Sequence, residues 1–132
     1  MVVCEADNIV TLASTGNICA WSYRRGKLSA LLLPDSMESL ARDNHEKTYY
    51  TTPLSAFGLF DDLHVSLAEF RPKEGDKLII MTDGAYARLD DDELKYIVEG
   101  KLSSDLDRIQ EIFGVVNSRG NLDNQSCLLL NF

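Results

Sequence analysis

Little in this chain marks a secreted, membrane-spanning or nucleic-acid-binding protein. Cysteine is scarce: Cys4, Cys19 and Cys127 are an odd number at wide spacing, each among apolar, strand-like residues. They predict buried, reduced thiols in a cytoplasmic protein rather than a disulfide framework. Histidine is scarcer still. Neither His45 nor His64 has the paired spacing that a zinc site requires, and both read as loop or surface residues. Positive charge is in deficit, with 13 Lys and Arg against 21 Asp and Glu and a formal charge of -8. That balance predicts no nucleic-acid or anionic-membrane partner, because phosphate contacts need clustered cations; solubility explains the acid excess. No apolar run approaches the roughly 20 residues of a membrane-spanning helix. The first residues meet Glu5 and Asp7 too soon for a secretory signal. No repeat, low-complexity tract or linker interrupts the chain, so residues 1–132 read as a single domain.

What is present is organised around Asp76-Lys-Leu-Ile-Ile-Met-Thr-Asp83-Gly84. Leu78 to Met81 form a short unbroken apolar run between turn residues, the pattern of a strand buried on both faces. The strand ends on a carboxylate followed by glycine, which would allow a sharp turn while the acid stays fixed at the tip. Near the end of the chain, Asp123-Asn124 leads into a second apolar strand, Cys127 to Leu130. Two aspartates at strand mouths suit a metal-dependent hydrolase, but taken singly each is also an ordinary turn residue.

The remaining segments follow from turn chemistry and periodicity. Val2–Ala6, Ile9–Ser14, Ile18–Tyr23 and Lys27–Leu33 read as four strands of an antiparallel meander, turning at Asp7-Asn8, Gly16-Asn17 and Arg25-Gly26. Trp21 and Tyr23 share a face and read as core. Pro34 ends the meander, Asp35-Ser36 can cap a short helix to about Arg42, and Asp43 to Thr52 read as a polar loop. Pro53–Gly58 is an apolar knot. His64 to Phe70 is a strand with Val65, Leu67 and Phe70 set against Ser66 and Glu69. A helix from about Asp91 to Glu99 is capped by Asp90 and Glu93, with Leu94, Ile97 and Val98 as its stripe. The run Asp90-Asp91-Asp92 suits that helix N-terminus better than a metal cluster. A second helix, about Asp105 to Ser118, is capped by Ser103 or Ser104 and presents Leu106, Ile109, Phe113 and Val116.

Taken in order, these segments resemble the C-terminal half of the metal-dependent PPM (PP2C-type) protein serine/threonine phosphatases. Thr11 to Leu28 is similar to that family's "vGDSRaylyrdGkl" hairpin, and Pro53–Gly58 stands where the family has "ltralG". Glu74 to Tyr86 resembles "pGDrlllcSDGlw", Asp90 to Glu93 resembles "lsdeE", and Asp123-Asn124-Gln125-Ser126 the closing "DNiT". The resemblance implies an α/β fold, mainly antiparallel sheet from a β-sandwich, with the two C-terminal helices packed on it. It implies Mn²⁺ or Mg²⁺ as cofactor, with a hydroxide bridging two ions attacking phosphorus in line. Asp83 and Asp123 would be metal ligands; Asn17, Gly84 and Asn124 would be accessory, Asn124 fixing its loop.

The departures from the family pattern are as informative. The family's "DGHGG" motif has no counterpart, since the only Asp-Gly is Asp83-Gly84 and no Gly-Gly occurs. The phosphate-binding arginine of the family's N-terminal half is also missing, and no other arginine is evident in that role. The hairpin acid is Asn17 here, and the acid four residues after Asp83 is Ala87. No residue is therefore assigned a catalytic role. The chain reads as part of a phosphatase domain, hydrolysing phosphoserine or phosphothreonine in the complete protein; the alternative is an inactive phosphatase-like binding or regulatory module. Its expected partners are a phosphoprotein substrate or the missing half, and an unpaired sheet face predicts self-association.

Overall fold

The computed structural model describes residues 1–35, 53–58 and 61–132. The helix expected from Asp35 to Arg42 and the polar loop after it lie outside the described residues. Two antiparallel sheets and three helices make up the rest. β1 (Val2–Ala6) and β2 (Ile9–Ser14) form a hairpin whose Asp7 and Asn8 take φ of 52° and 59°. β3 (Ile18–Arg24) and β4 (Lys27–Leu32) turn likewise through Arg25 and Gly26, at φ 47° and 80°. Left-handed turn residues match the twist of the strands that they join.

The expected four-stranded meander does not form. β2 pairs with β5 (Ser66–Phe70), giving a sheet of order β1-β2-β5. β3 pairs instead with β6 (Lys77–Thr82), which pairs with β7 (Cys127–Asn131), giving the order β4-β3-β6-β7. Thr15 to Asn17 thus carry the chain from one sheet to the other. Turn residues look alike at a hairpin and at a corner; what decides is β6, whose backbone pairs with β3 on one edge and β7 on the other, drawing β3 away from β2.

Both faces of β6 are covered, as its composition predicts. Ile79 and Met81 pack with Cys19, Trp21 and the helices, while Leu78 joins Val10, Leu12, Ala20 and Leu32 between the sheets. The layers are therefore a three-stranded sheet, a four-stranded sheet and a helical layer. α1 (Asp83–Tyr86) follows β6 directly; α2 (Asp91–Glu99) and α3 (Asp105–Ser118) come next. α2 has the predicted reciprocal cap between Asp90 and Glu93 and buries Leu94, Ile97 and Val98. Burying each such side chain contributes roughly 1.5–3 kcal/mol relative to exposure. Trp21 packs edge-on against Tyr86, with ring centroids 6.0 Å apart, and donates its indole N–H to Asp91 at 3.1 Å.

Three further expectations are corrected. In β5, Phe70 turns inward and Glu69 outward as expected, but Ser66 and Ala68 share the inner face, leaving Leu67 70% and Val65 45% exposed. Register sets this, because Phe70 and Ala68 lie opposite Val10 and Leu12. In α3 the buried residues are Ile112 and Val116, while Leu106 is 61% exposed. Val116 is buried and Phe113 packs on the core as predicted, Ile112 joins them in place of Leu106, and Arg108 ties this helix back to the carbonyls of Val98 and Gly100. Cys4 is exposed, because β1 is a sheet edge with solvent on both faces. Cys19 is buried as expected, and half-buried Cys127 has its thiol pushed up to about 12 by burial. Val2, Ala13 and Leu67 form one row across the outer face of the three-stranded sheet, with Val2 67% exposed.

Candidate metal centre

The aspartate at the end of β6 is held without turning sharply. Asp83 opens α1, and Gly84 continues that helix rather than adopting a left-handed conformation. What the position requires is space. A Cβ on Gly84 would lie 2.0 Å from the carbonyl oxygen of Asn124 and 3.3 Å from the Cβ of Asp123. Only glycine lets the loop at residues 121–126 come this close, and that approach brings Asp123 beside Asp83. Thr82 and Ser126 fasten the two segments: the Thr82 N–H donates to the Ser126 carbonyl at 3.1 Å, and the Ser126 N–H donates to the Thr82 hydroxyl at 3.0 Å.

Both aspartates line one open pocket of about 570 Å³. Asp83 is half-buried. Its Oδ1 accepts the Gly84 N–H at 3.0 Å, and its Oδ2 accepts the side-chain amide of Asn17 at 2.5 Å. Tyr86 in turn donates its hydroxyl to the Asn17 carbonyl at 3.1 Å, so α1 holds both partners. Burial pushes the Asp83 carboxyl above its ordinary value, and the nearby Asp123 charge adds to that rise. Mutual repulsion alone would predict a raised value, but desolvation is the larger cause. Asp123 is exposed; its Oδ1 accepts the Asn124 N–H at 2.8 Å, and its carbonyl accepts the Asn121 amide at 2.8 Å.

The sequence-derived residues therefore come together: Asp83, Gly84 and Asp123 line one pocket, with Asn124 packed on Gly84 and Asn17 bonded to Asp83. One part differs from that expected, since Gly84 makes no sharp turn. Gly84 acts as a spacer, Asn17 presents its amide N–H to Asp83, and Asn124 contributes backbone while Asn121 fixes the loop. Sequence reasoning also missed Arg88 and Arg119, which line the same pocket. The Arg88 guanidinium donates to the Arg119 carbonyl at 2.8 Å, and Arg119 donates back to the Arg88 carbonyl at 2.6 Å. Arg119 is also paired with Glu93, whose carboxyl it pulls down to about 2. Arg88 lies one helical turn past Gly84, a spacing that could have flagged it; nothing local pointed to Arg119.

Oxygen donors on two adjacent carboxylates suit a hard divalent cation. Among the described residues, however, no group of three or more His, Cys, Asp or Glu side chains converges. The donor set fits part of a site.

The fold has clear relatives among solved structures. No family model matches the chain, and no curated protein matches it by sequence. PppA of Pseudomonas aeruginosa, a regulatory component of its type VI secretion system, superposes with a TM-score of 0.82 at 21% identity, covering 98% of this chain and 56% of that one. A serine/threonine phosphatase of S. agalactiae matches with a TM-score of 0.82 at 19% identity, over 98% and 57%. The catalytic domain of the serine/threonine phosphatase PstP, in complex with two manganese ions, matches at 0.77 and 15% identity, over 98% and 56%. The chain thus has the α/β fold of PPM-type serine/threonine phosphatases and spans little more than half the length of the structures that it matches. That share agrees with a C-terminal half. Among the described residues no helix is long and apolar enough to cross a membrane.

Proposed function

We propose that this chain is the C-terminal portion of a metal-dependent PPM-type phosphatase domain, acting on phosphoserine or phosphothreonine once the complementary portion is present. The observation that carries this reading is the interlock at Gly84, which sets Asp83 and Asp123 on one pocket. Those two carboxylates would hold Mn²⁺ or Mg²⁺, with the remaining ligands on the complementary portion. When bound, such ions supply acidified water and neutralise phosphate charge. Of the chain's own residues, Asn17 and the Gly84 N–H orient the Asp83 carboxylate, and Arg88 offers a cation at the pocket wall for the substrate phosphate. A cytoplasmic protein with reduced thiols fits this reading, with a phosphoprotein as substrate and the exposed Val2–Leu67 row as a surface for self-association or for the missing half.

The alternative, an inactive phosphatase-like binding or regulatory module, is favoured by one observation: among the described residues no third acidic, His or Cys side chain joins Asp83 and Asp123, and an amide stands at Asn17. Complementation separates the two. The isolated 132-residue chain should hydrolyse p-nitrophenyl phosphate in Mn²⁺ poorly or not at all. A polypeptide bearing the missing half should restore turnover, and Asp83→Asn or Asp123→Asn should each return it to background. No restoration with a demonstrably bound partner would favour the inactive module. Robust turnover by the chain alone, indifferent to both substitutions, would refute the assignment of these residues.

A further inference from the structure

At the opposite end of β6 from Asp83, a second pocket of about 620 Å³ opens between the two sheets. Asp76 immediately precedes the strand and Asp83 follows it, so roughly 20 Å of strand separates the pockets. Arg24, Lys27, Arg71 and Lys73 line the second one, against only Glu69 and Asp76. Four of the chain's 13 cationic residues thus meet on one concavity of a protein with formal charge -8.

The two charges at its floor are matched. Arg24 Nε donates to both carboxylate oxygens of Asp76 at 2.9 Å, and the Lys73 N–H donates to the same carboxylate at 2.7 Å. Arg24 also donates to the Arg71 carbonyl at 2.7 Å, which fixes the connection that carries Arg71 and Lys73. The side chains of Lys27, Arg71 and Lys73 take part in no ion pair among the described residues. Glu69 meets the Thr11 hydroxyl at 3.3 Å. Ser29 brings a hydroxyl, and Ile9 and Phe70 bring apolar surface, from different strands of the rim.

We propose that this pocket binds a small phosphorylated ligand, at a site separate from the Asp83–Asp123 pocket. One arginine fork satisfies a carboxylate, whereas Lys27 on β4 and Arg71 and Lys73 on the connection between β5 and β6 bring three further cations from two segments, which suit a dianion with three acceptor oxygens. The volume exceeds that of a bare phosphate and falls in the range of pockets that hold small organic molecules. Phe70 and Ile9 would then face the organic part of the ligand, and the Arg24–Asp76 pair would serve as the rigid floor.

The probe is phenylphosphonate, whose C–P bond resists phosphatase chemistry, titrated into the metal-free full chain carrying Asp83→Asn and Asp123→Asn and followed by amide NMR shifts. The proposal expects saturable shifts at Ser22, Ser29, Arg71 and Lys73, none at Gly84 or Asn124, and tighter binding than inorganic phosphate. Arg71→Gln and Lys73→Gln, both at exposed positions, should each weaken binding about tenfold, the loss of one charge-assisted hydrogen bond. Shifts that never saturate, that centre on Gly84, or that persist unchanged in both glutamine variants would overturn it. Equal binding of benzoate would do so too, since the site would then read charge without reading phosphate.

Discussion

Asp76 and Asp83 bound the same strand, and their surroundings are opposite. Asp76 is only 3% exposed, yet its charge is fully answered by a two-pronged arginine and a backbone N–H. Arg24 pulls its carboxyl below the ordinary carboxylate range. Asp83 is less buried and meets no cation: the Asn17 amide and the backbone N–H groups of Gly84 and of Asp83 itself face it, with a second carboxylate nearby. Its carboxyl is pushed the other way. An answered charge works for the framework, holding β3 against the start of β6. An unanswered one stores cost in the free protein, which a cation from solution can relieve.

The largest expected effect of breaking this contrast is at Asp76. Asp76→Ala removes every partner of the Arg24 fork except the Arg71 carbonyl. A fully buried pair broken on one side costs about 3–5 kcal/mol. Arg24 stays 42% exposed and can rehydrate, so about 2 kcal/mol is expected in urea unfolding. Acid should act on the same group. Because its folded-state value is depressed, the stability it contributes is complete above the ordinary carboxylate value of about 4 and is lost as pH falls below that. The wild-type melting temperature should therefore fall more steeply below pH ~4 than that of Asp76→Ala. Parallel curves would mean that Asp76 contributes nothing specific.

Gly84 gives the next effect, and its sign is diagnostic. Alanine for glycine inside an ordinary helix stabilises by roughly 0.5–1 kcal/mol. Here the new methyl would meet backbone, so overpacking of about 1–3 kcal/mol should win and the 121–126 loop should be displaced. Gly84→Ala should lower the unfolding midpoint and abolish any stabilisation by Mn²⁺. A gain in stability would show that the loop yields freely and that Asp123 is not held where the structure has it.

Local chemistry made much of this legible. The Asp7-Asn8 and Arg25-Gly26 turns, the apolar run of β6 and the Asp90/Glu93 cap depend on residues a few positions apart, and the structure has them as the sequence predicts. The sheet partition was not legible, because it depends on competition for the edges of β6 by segments far along the chain. The exposure of Val65 and Leu67 was hidden for the same reason: both look like core until Val10 and Leu12 are set opposite Ala68 and Phe70. At the candidate centre the two aspartates were legible only as a pattern shared with a family. The role of Gly84 as a spacer was hidden, since it depends on a carbonyl 40 residues away at Asn124. The Arg24–Asp76 pair, separated by 52 residues, left no local trace at all.

The smallest effect on the free protein, and the sharpest test of the contrast, is Asp83→Asn. Asparagine keeps an oxygen for the Gly84 N–H and the side-chain volume, meets Asn17 once that amide flips to offer its oxygen, and removes a charge that burial and Asp123 both disfavour. In the metal-free chain the substitution should be neutral or stabilising by up to about 1 kcal/mol, the usual sign when a functional site's stored cost is released. Asp76→Asn, equally conservative in shape, should destabilise, because the Arg24 fork loses its counter-charge. Added Mn²⁺ should raise the wild-type melting temperature by mass action on the folded state, and chelation should reverse it. That rise should survive in Asp76→Asn and vanish in Asp83→Asn. Melting curves of the three proteins with Mn²⁺ and with a chelator therefore decide the matter. If Asp83→Asn lowers metal-free stability as much as Asp76→Asn does, the two ends of the strand are alike and Asp83 belongs to the framework.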